Sequence, residues 1–567
     1  MYRNRKENYP LYEVRELYSL RQLVDETAEM FAEKPAFKYK KDGNVVSVTY
    51  SEFKKDVDSL GTALCEMGYI NAHAAVIGPN SYNWVRTYLA VLNSEGVVVP
   101  VDKDLSEEET EYILNTSDAR IIFCDGKATA KKINDLEDKL PGIERIIYFE
   151  KPEIRDEKHR WIEDVMDLGR ELLANGDTRF TALEPDNDCL KELLFTSGTT
   201  GRAKGVMLSA GALVYNITRA QMLMKISEVC LSVLPYHHSY ESTTGILTMM
   251  HNGMTICINE SLRSVLPNFK LYKPTEVQLV PLFVEKIYRG IWDKAEEAGK
   301  ANVLRKMIKI SNKLLKAGID MRKVFFKSVL DTFGGELKAI ICGGAPLKPD
   351  IVSFFDSIGI TLINGYGITE CGPLISINRP EFHNSESVGQ LMPGMQLMID
   401  EPNEDGEGEI CVKGPNVMLG YYKNPEATAK AIIDGWFHTG DIGKVDENNF
   451  VFITGRIKNI IILKNGKNIY PEEIEEKLSR ATPLIAEVLV RSMSGGPDGE
   501  KLLGAEIFPD EDRAKRMGVA DVQEEIRKAV SEYNAAEPGY KIIKKIVFRD
   551  TEFEKTTSRK IKRNYEV

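Results

Sequence analysis

The sequence contains no C-x-x-C pair, no apolar core near its N-terminus and no long uninterrupted hydrophobic run. Its eight cysteines are scattered, which excludes the cysteine spacing of structural zinc sites and predicts reduced, mostly buried thiols. The first ten residues, MYRNRKENYP, are polar and unlike a signal peptide. No apolar run approaches the ~18 residues that a membrane span needs. We therefore expect a soluble, cytoplasmic protein.

An excess of positive charge is also absent. The 567 residues include 74 Lys and Arg against 85 Asp and Glu, which gives a net charge of −11. This balance disfavours a general nucleic-acid binder, and we expect no nucleic-acid partner. It allows a nucleotide substrate, because local loops and a metal ion hold small polyanions. The 43% hydrophobic and 28% charged residues exclude a disordered chain, a collagen and a disulfide-stapled mini-protein.

Short apolar runs alternate with amphipathic patterns, and no short-period repeat interrupts them. We expect strands near residues 74–77, 96–101, 119–124, 276–281 and 338–342, and helices over residues 84–92 and after Ser106. This alternation predicts α/β layers with parallel sheets.

The composition changes near Phe450, after which the chain is dense in Lys and Glu. This last part has an alternation of its own, with helices expected at 471–480 and 521–532 and strands at 485–490, 502–507 and 545–548. We therefore predict an N-terminal domain over residues 1–456 and a small C-terminal domain over residues 457–567.

A loop of small and hydroxylated residues follows the apolar run that ends at Phe195. Its sequence is TSGTTGRAKG, residues 196–205, and a helix capped by Ser209 comes after it. Such residues let backbone N–H groups and hydroxyls close around phosphate oxygens, and Lys204 adds a charge. The loop cannot be aligned with a Walker A motif. The alternative is a flexible linker. The candidate phosphate-binding residues are Thr196, Ser197, Gly198, Thr199, Thr200, Gly201 and Lys204.

This loop resembles the signature of the adenylate-forming (AMP-binding) superfamily, which includes acyl-CoA synthetases, luciferases and peptide-synthetase adenylation domains. GGAPL at residues 343–347 resembles the adenine-side turn of that family, and NGYGITE at 364–370 resembles its second signature. TGD at 439–441 and GRIK at 455–458 resemble its ribose-binding and hinge motifs. Each match is modest alone, but the ordered set is specific. It implies a large α/β domain of stacked sheets and helices with a small mobile C-terminal α+β domain.

The resemblance implies a nucleotide site. Tyr366 offers an aromatic face to adenine, Asp441 accepts the ribose hydroxyls, and Arg456 adds a ribose contact. Thr369 holds an α-phosphate oxygen, while Glu370 and Thr196 are the Mg²⁺ ligands. Without the ordered motifs, Tyr366 would be a core residue and Asp441 a turn residue. The other nucleotide-binding positions that the resemblance implies are Gly344, Ala345, Pro346, Asn364, Gly365, Gly367, Ile453 and Lys560.

Three further segments are similar to long-chain acyl-CoA synthetases. These are P-x-x-H-x-x-E at 235–241, V-P-x-x-x-E-K-I-Y at 280–288 and F-G-G…G-G-A-P-L at 333–347. We do not expect a metal site at His237 and His238, because sequence neighbours point in different directions and no cysteine or carboxylate cluster accompanies them. The alternatives are a structural histidine and ordinary helix packing near Gly245. The implied acyl and CoA pocket consists of Tyr236, His238, Gly245, Gly343 and Gly466.

The C-terminal segment EKTTSRKIKR, residues 554–563, resembles the family pattern P-K-T-x-x-G-K-I-x-R, which makes Lys560 the catalytic lysine. Two residues depart from the pattern. Glu554 replaces Pro, and Arg559 replaces a Gly that would permit a tight approach or positive φ. A degenerate loop and a merely solvated tail are the alternatives. The resemblance also places the hinge between the domains at Lys458.

The expected function is ATP-dependent ligation of a fatty acid, of long chain by resemblance, to coenzyme A. The reaction would pass through an acyl-adenylate and release AMP and pyrophosphate, with ATP, Mg²⁺ and CoA required. The implied catalytic residues are Thr196, His238, Glu370 and Lys560. The alternatives are transfer of a fatty, aryl or amino acid to a carrier-protein thiol and a non-catalytic ligand-binding relative. A fatty substrate is compatible with peripheral membrane contact, although we identify no strongly basic amphipathic helix to carry it, and a homodimer is also allowed.

Overall fold

The computed structural model describes residues 8–196, 202–225, 227–462, 468–494, 501–539, 541–555 and 561–563. The chain divides into two units, one of residues 1–396 and 413–437 and one of residues 397–412 and 438–567. The chain therefore passes from one unit to the other three times. The single boundary between residues 456 and 457 stays a prediction.

Strands make up the sheets of both units. In chain order they are β1 Pro35–Lys41, β2 Asn44–Thr49, β3 His73–Ile77, β4 Val97–Val101, β5 Ala119–Cys124, β6 Arg145–Tyr148, β7 His159–Trp161, β8 Leu190–Thr196, β9 Lys204–Ser209, β10 Val229–Ser232, β11 Thr255–Ile258, β12 Glu276–Leu279, β13 Ala339–Cys342, β14 Thr361–Gly367, β15 Leu374–Ile377, β16 Gln390–Leu391, β17 Gln396–Asp400, β18 Gly408–Lys413, β19 Gly420–Tyr421, β20 Ile432–Ile433, β21 Trp436–Val445, β22 Val451–Arg456, β23 Ile461–Ile462, β24 Asn468–Ile469, β25 Ile485–Ser494, β26 Lys501–Pro509 and β27 Lys545–Phe548.

Helices connect these strands. They are α1 Leu20–Met30, α2 Tyr50–Glu66, α3 Tyr82–Leu92, α4 Glu107–Thr116, α5 Lys127–Leu136, α6 Ile162–Ala174, α7 Ala210–Leu223, α8 Thr248–His251, α9 Val265–Tyr272, α10 Pro281–Glu297, α11 Ala301–Lys316, α12 Arg322–Phe325, α13 Lys327–Leu330, α14 Pro349–Ile358, α15 Pro425–Ala431, α16 Pro471–Ala481, α17 Glu511–Met517 and α18 Val522–Ala536. In the described part of the chain, no helix combines the length and the apolar composition that crossing a membrane requires.

Two large sheets form the first unit. One has nine strands in the order β16-β15-β14-β13-β12-β10-β11-β1-β2, and the other has eight in the order β19-β9-β8-β4-β3-β5-β6-β7. Most neighbours are parallel, with helical crossovers between them. The expected α/β fold of stacked sheets is confirmed. Parallel strands end at a common edge, where open α/β sheets bind ligands, and β12, β13 and β14 end together in this way.

Local sequence signals account for several element ends. Ser106 caps α4 and forms a reciprocal capping box with Glu109. The strand expected over 276–281 ends at Leu279, because Pro281 occupies the first turn of α10, where its missing N–H costs nothing. The apolar faces of β10, β12 and β13 and of α14 pack into one buried core, and those of β3, β4 and β5 pack into another.

The second unit contains a sheet in the order β17-β18-β21, with β22 on β21, and a three-stranded sheet of β25, β26 and β27. α16 and α18 cover the three-stranded sheet through a separate apolar core. The helices and strands expected in this part of the sequence are all present, with β25 and β26 longer than expected.

Candidate active site

The candidate phosphate loop is held by an antiparallel hairpin. Thr196 ends β8 and pairs with Lys204 at the start of β9. Residues 197–201, which include Ser197, Gly198, Thr199, Thr200 and Gly201, lie outside the described residues. We expected the loop to lead into the helix capped by Ser209, but β9 lies between the loop and α7. Lys204 therefore projects from a strand, opposite Thr196.

Tyr421, a residue that no sequence motif identified, connects Glu370 to this hairpin through a hydrogen bond. Tyr421 lies on β19, which pairs with β9 through Val206. Its hydroxyl donates a hydrogen bond to Glu370 Oε1 at 2.9 Å, and Lys204 Nζ lies 5.0 Å from its ring centroid. Burial, and then the Glu370 carboxylate, raise the pKa of Tyr421, which keeps the phenol protonated as a donor. The loop stem and the second signature thus meet through one side chain.

Two buried amides fix the backbone just after Glu370. Asn216 Oδ1 accepts the Leu374 N–H at 3.0 Å, and Asn416 Nδ2 donates to the Cys371 and Leu374 carbonyls at 2.9 and 2.8 Å. Both asparagines are fully buried. Thr369 and Glu370 form a 3₁₀ turn with Cys371, so these contacts set where the turn points. No sequence motif identified either asparagine.

The adenine-side candidates follow the ends of β13 and β14. A Cβ at Gly343 would lie 3.5 Å from both the Gly365 carbonyl and the Tyr240 ring, which shows how closely the three segments approach. Gly344 has φ +88° and begins an exposed turn with Ala345 and Pro346. The structure therefore brings GGAPL next to the second signature.

Tyr366 and its neighbours lie within β14, where Tyr366 is buried. Asn364 is also buried and donates from Nδ2 to the Ser387 carbonyl at 3.3 Å. A Cβ at Gly367 would lie 2.3 Å from the Pro373 carbonyl oxygen, so only glycine fits there. The second signature is thus closely packed against the strand that follows it.

The candidate acyl segment begins with a buried tyrosine. The Tyr236 ring packs on Trp84 with centroids 5.2 Å apart, and its hydroxyl oxygen lies 3.1 Å from Ser232 Oγ. The Tyr236 N–H donates to Asn80 Oδ1 at 3.1 Å. Tyr236 therefore anchors the loop that precedes His238.

Glu241 is fully buried in a π-helix, Tyr240–Leu247. Its carboxyl accepts a hydrogen bond from Ser232, and burial raises its pKa to about 8. A Cβ at Gly245 would lie 2.7 Å from the Glu241 carboxyl carbon. Gly245 therefore makes room for a protonated carboxyl group, and π-helical turns of this kind often occur at functional sites.

The two adjacent histidines face each other, contrary to the expectation that they point apart. Their ring centroids lie 4.2 Å apart, because the turn that leads into the π-helix brings successive side chains together. His237 Nε2 lies 3.4 Å from Asp102 Oδ2, and burial lowers the pKa of His237 to about 4. A neutral His237 thus packs against His238 within the first unit.

In the second unit, Asp441 is paired with Arg456. The two residues face each other across β21 and β22, and Arg456 Nε lies 2.7 Å from Asp441 Oδ1. The Asp441 side chain is only 3% exposed, whereas that of Arg456 is 39% exposed. Ile453 pairs with Gly443 on the same two strands. The two ribose candidates, Asp441 and Arg456, are therefore neighbours in the structure.

Glu409 braces the turn that carries Asp441. Glu409 Oε1 accepts the Gly440 N–H at 2.9 Å, and Oε2 lies 2.8 Å from His438 Nδ1. Asp400 and Cys411 complete a group of four side chains whose ligand atoms lie within 4.8 Å of one another. Because hydrogen bonds already engage both Glu409 oxygens, the turn geometry accounts for this group.

The C-terminal segment is anchored on both sides of Lys560, which itself lies outside the described residues, as do Arg559 and Gly466. Lys555 forms ion pairs with Glu487 at 2.5 Å and Glu552 at 2.6 Å. Arg563 pairs with Glu475, whose pKa is raised to about 7 by burial. Lys458 is exposed in a 3₁₀ turn, Ile457–Asn459.

Comparison with known protein families decides the affiliation. The family model described as AMP-binding enzyme matches residues 24–422, and that of the AMP-binding enzyme C-terminal domain matches residues 458–566. The chain belongs to the AMP-binding enzyme family. The resemblance inferred from the ordered motifs is confirmed.

Individual relatives of this AMP-binding enzyme are moderately distant. The long-chain-fatty-acid–CoA ligase FadD15 of Mycobacterium bovis is 29% identical over 83% of this chain and 78% of its own length. The long-chain-fatty-acid–CoA ligase 6 of Mus musculus is 29% identical over 79% of this chain and 68% of its own. The anthranilate CoA ligase AuaEII, solved with anthranoyl-AMP, has a TM-score of 0.75 at 19% identity and covers 98% of this chain and 96% of its own.

Proposed function

We propose that this AMP-binding enzyme activates a fatty acid with ATP and transfers the acyl group to coenzyme A, releasing AMP and pyrophosphate. The observation that carries the proposal is the Lys204–Tyr421–Glu370 connection, which joins a basic phosphate-loop stem to a carboxylate within one unit. The names of the relatives, which are CoA ligases of fatty and aryl acids, support the acid and thiol substrates.

The proposed chemistry has two displacements. A carboxylate oxygen attacks the α-phosphorus, the bond to the bridging oxygen breaks, and pyrophosphate leaves. The CoA thiol then attacks the acyl carbon and loses its proton to water, the bond from the acyl carbon to the AMP oxygen breaks, and AMP leaves with that electron pair. No protein nucleophile is needed, so catalysis consists of positioning and charge neutralisation.

In this proposal Tyr366 stacks on adenine beside the turn of Gly344, Ala345 and Pro346. Asp441 accepts the ribose hydroxyls while Arg456 orients its carboxylate. The phosphate oxygens are bound by Lys204, by Thr369 and by the hydroxyls and backbone of residues 196–201. These roles suit the residue types, since each side chain offers a donor or an acceptor that a group of the nucleotide can pair with.

Glu370 and Thr196 fit Mg²⁺ as hard oxygen donors. Tyr421 binds Glu370 Oε1, and within the described residues no hydrogen bond engages Oε2. The half-buried Glu370 carboxylate is thus oriented by one hydrogen bond and keeps a second oxygen that can bind a metal ion. Mg²⁺ bound there would neutralise charge on the phosphates.

We assign the remaining roles by position in the family motifs. Lys560 would stabilise the adenylation transition state, and Lys458 would be the hinge of a mobile C-terminal domain over residues 457–567. His238 would border the acyl carboxylate, in a pocket with Tyr236, Gly245, Gly343 and Gly466. Glu241 and Gly245 support this placement, because they put a neutral carboxyl group beside the same turn.

Pyrophosphate release, measured with and without CoA across a series of fatty-acid chain lengths, tests the proposal. We expect acid-dependent release and formation of a CoA thioester, both lost in Glu370→Gln and retained in the exposed control Glu336→Gln. Release without a thioester would point to a carrier-protein acceptor. Absence of acid-dependent release from the wild type, with nucleotide binding intact, would identify a non-catalytic relative.

A further inference from the structure

One helix carries a concentrated positive charge on an otherwise acidic protein. The chain has a net charge of −11, yet α11 contains no Asp or Glu. Its five basic residues are Arg305, Lys306, Lys309, Lys313 and Lys316. From the sequence we expected no strongly basic amphipathic helix, and that expectation is wrong.

The spacing of these residues creates distinct faces. At 3.6 residues per turn, the five basic side chains fall within an arc of about 100°. Leu304 and Ser311 are buried on another side of the helix, where α11 packs on α10 and α14. Val303 and Ile310, seven residues apart, border the basic arc and are each 51% exposed.

The lysines of α11 are also unpartnered within the described part of the chain, where no ion pair involves them. Arg305 instead lies over the Trp292 ring, 5.1 Å from its centroid. Some lysines on other exposed helices have an acidic partner on the same helix. The pairs are Lys131–Asp135, Lys430–Glu426 and Lys528–Glu525. The positive face of α11 is therefore not balanced locally.

The apolar exposure continues beyond the helix. Ile319 is 51% exposed and Val324, on the next helix, is 65% exposed. Lys323 is exposed beside Val324. The surface thus combines unbalanced cations with aliphatic side chains in water.

We propose that α11 is a docking surface for an anionic lipid bilayer. Its lysines would contact the headgroups, while Val303 and Ile310 would enter the boundary between headgroups and acyl chains. A bilayer offers anions and hydrocarbon side by side, which matches both parts of this surface. An acidic protein surface or a nucleic acid would bind the lysines but would offer no hydrocarbon to Val303 and Ile310.

Co-sedimentation of the full chain with vesicles tests this assignment. We expect binding to vesicles of phosphatidylglycerol and phosphatidylcholine in equal amounts, decreasing with salt, and little binding to phosphatidylcholine alone. The triple variant Lys306→Gln/Lys309→Gln/Lys313→Gln should lower the partition coefficient about 100-fold, because each basic residue contributes about fivefold near an anionic surface.

A charge-matched control separates the effect of this face from that of net charge. Lys127→Gln/Lys131→Gln/Lys515→Gln removes three exposed lysines elsewhere and should retain wild-type binding. Unchanged thermal unfolding would show that both triple variants are folded. Equal losses in the two triple variants, or no binding of the wild type to anionic vesicles at low salt, would overturn the proposal.

The apolar contribution needs its own variant. Val303→Ser/Ile310→Ser keeps the charge and should weaken vesicle binding about tenfold, whereas Val45→Ser/Ile154→Ser, exposed elsewhere, should not. If the first pair binds vesicles like the wild type while the lysine variant does not, insertion is refuted. The basic face would then serve an acidic macromolecule.

Discussion

Removing the Tyr421 hydroxyl tests the link between the phosphate loop and Glu370. Tyr421→Phe keeps the ring beneath Lys204 but deletes the 2.9 Å hydrogen bond to Glu370 Oε1. A hydrogen bond to a charged group contributes about 1.5–3 kcal/mol, and water can replace part of it because Glu370 is half-buried. We therefore expect a loss of about 1–2 kcal/mol, which is a decrease of about 5- to 30-fold in kcat/KM for adenylation.

The assay is acid-dependent pyrophosphate release over a range of Mg²⁺ concentrations. If Glu370 holds the metal, Tyr421→Phe should raise the apparent Mg²⁺ requirement as well as slow the reaction. Tyr422→Phe is the matched control, because it removes the neighbouring hydroxyl, which donates to the exposed Asp118 at 2.7 Å. Equal behaviour of the two variants would show that Glu370 does not depend on the Tyr421 hydroxyl.

Three other variants test the ribose contact, the hinge and the buried carboxyl group. Asp441→Ala leaves Arg456 without its 2.7 Å partner and should raise the apparent KM for ATP about 10- to 100-fold; an unchanged KM would remove Asp441 from the ribose site. Lys458→Pro restricts the preceding Ile457 and should spare acyl-AMP formation while thioester formation falls steeply; equal losses in both steps would contradict a hinge role. The pKa of Glu241 is raised to about 8, so between about pH 4.3 and pH 8 the folded state keeps a proton that the unfolded state releases. The free energy of unfolding therefore falls as pH rises through this range, by up to about 1.4 kcal/mol per pH unit. Glu241→Gln should make that fall shallower in thermal unfolding measured against pH, and an unchanged slope would show that Glu241 is ionised.

The order of motifs and the local caps could be predicted from the sequence because they depend on neighbouring residues. Ser106 and Ser209 mark helix starts through bonds to backbone N–H groups three residues ahead. The strands and helices after residue 470 follow from their apolar spacing alone. The family affiliation follows from the ordered motifs.

Contacts between distant segments could not be predicted in this way. Tyr421 is 51 positions from Glu370, and only the pairing of β19 with β9 brings them together. The strand β9 was missed because its few apolar residues, next to a glycine-rich loop, also suit a loop end. The basic face of α11 was missed because lysines are frequent throughout, and only tertiary packing shows that Val303 and Ile310 remain exposed.

Measuring the two half-reactions separately in Lys560→Ala tests whether this enzyme forms an acyl-adenylate with Lys560 as its catalytic lysine. One preorganised donor at a developing charge typically contributes about 100- to 1000-fold, so synthesis from acid and ATP should fall by that factor. Thioester formation from supplied acyl-AMP and CoA should persist, and the exposed control Lys562→Ala should retain both activities. If Lys560→Ala adenylates at the wild-type rate, or loses both half-reactions while it remains folded, Lys560 is not the lysine of the adenylation step.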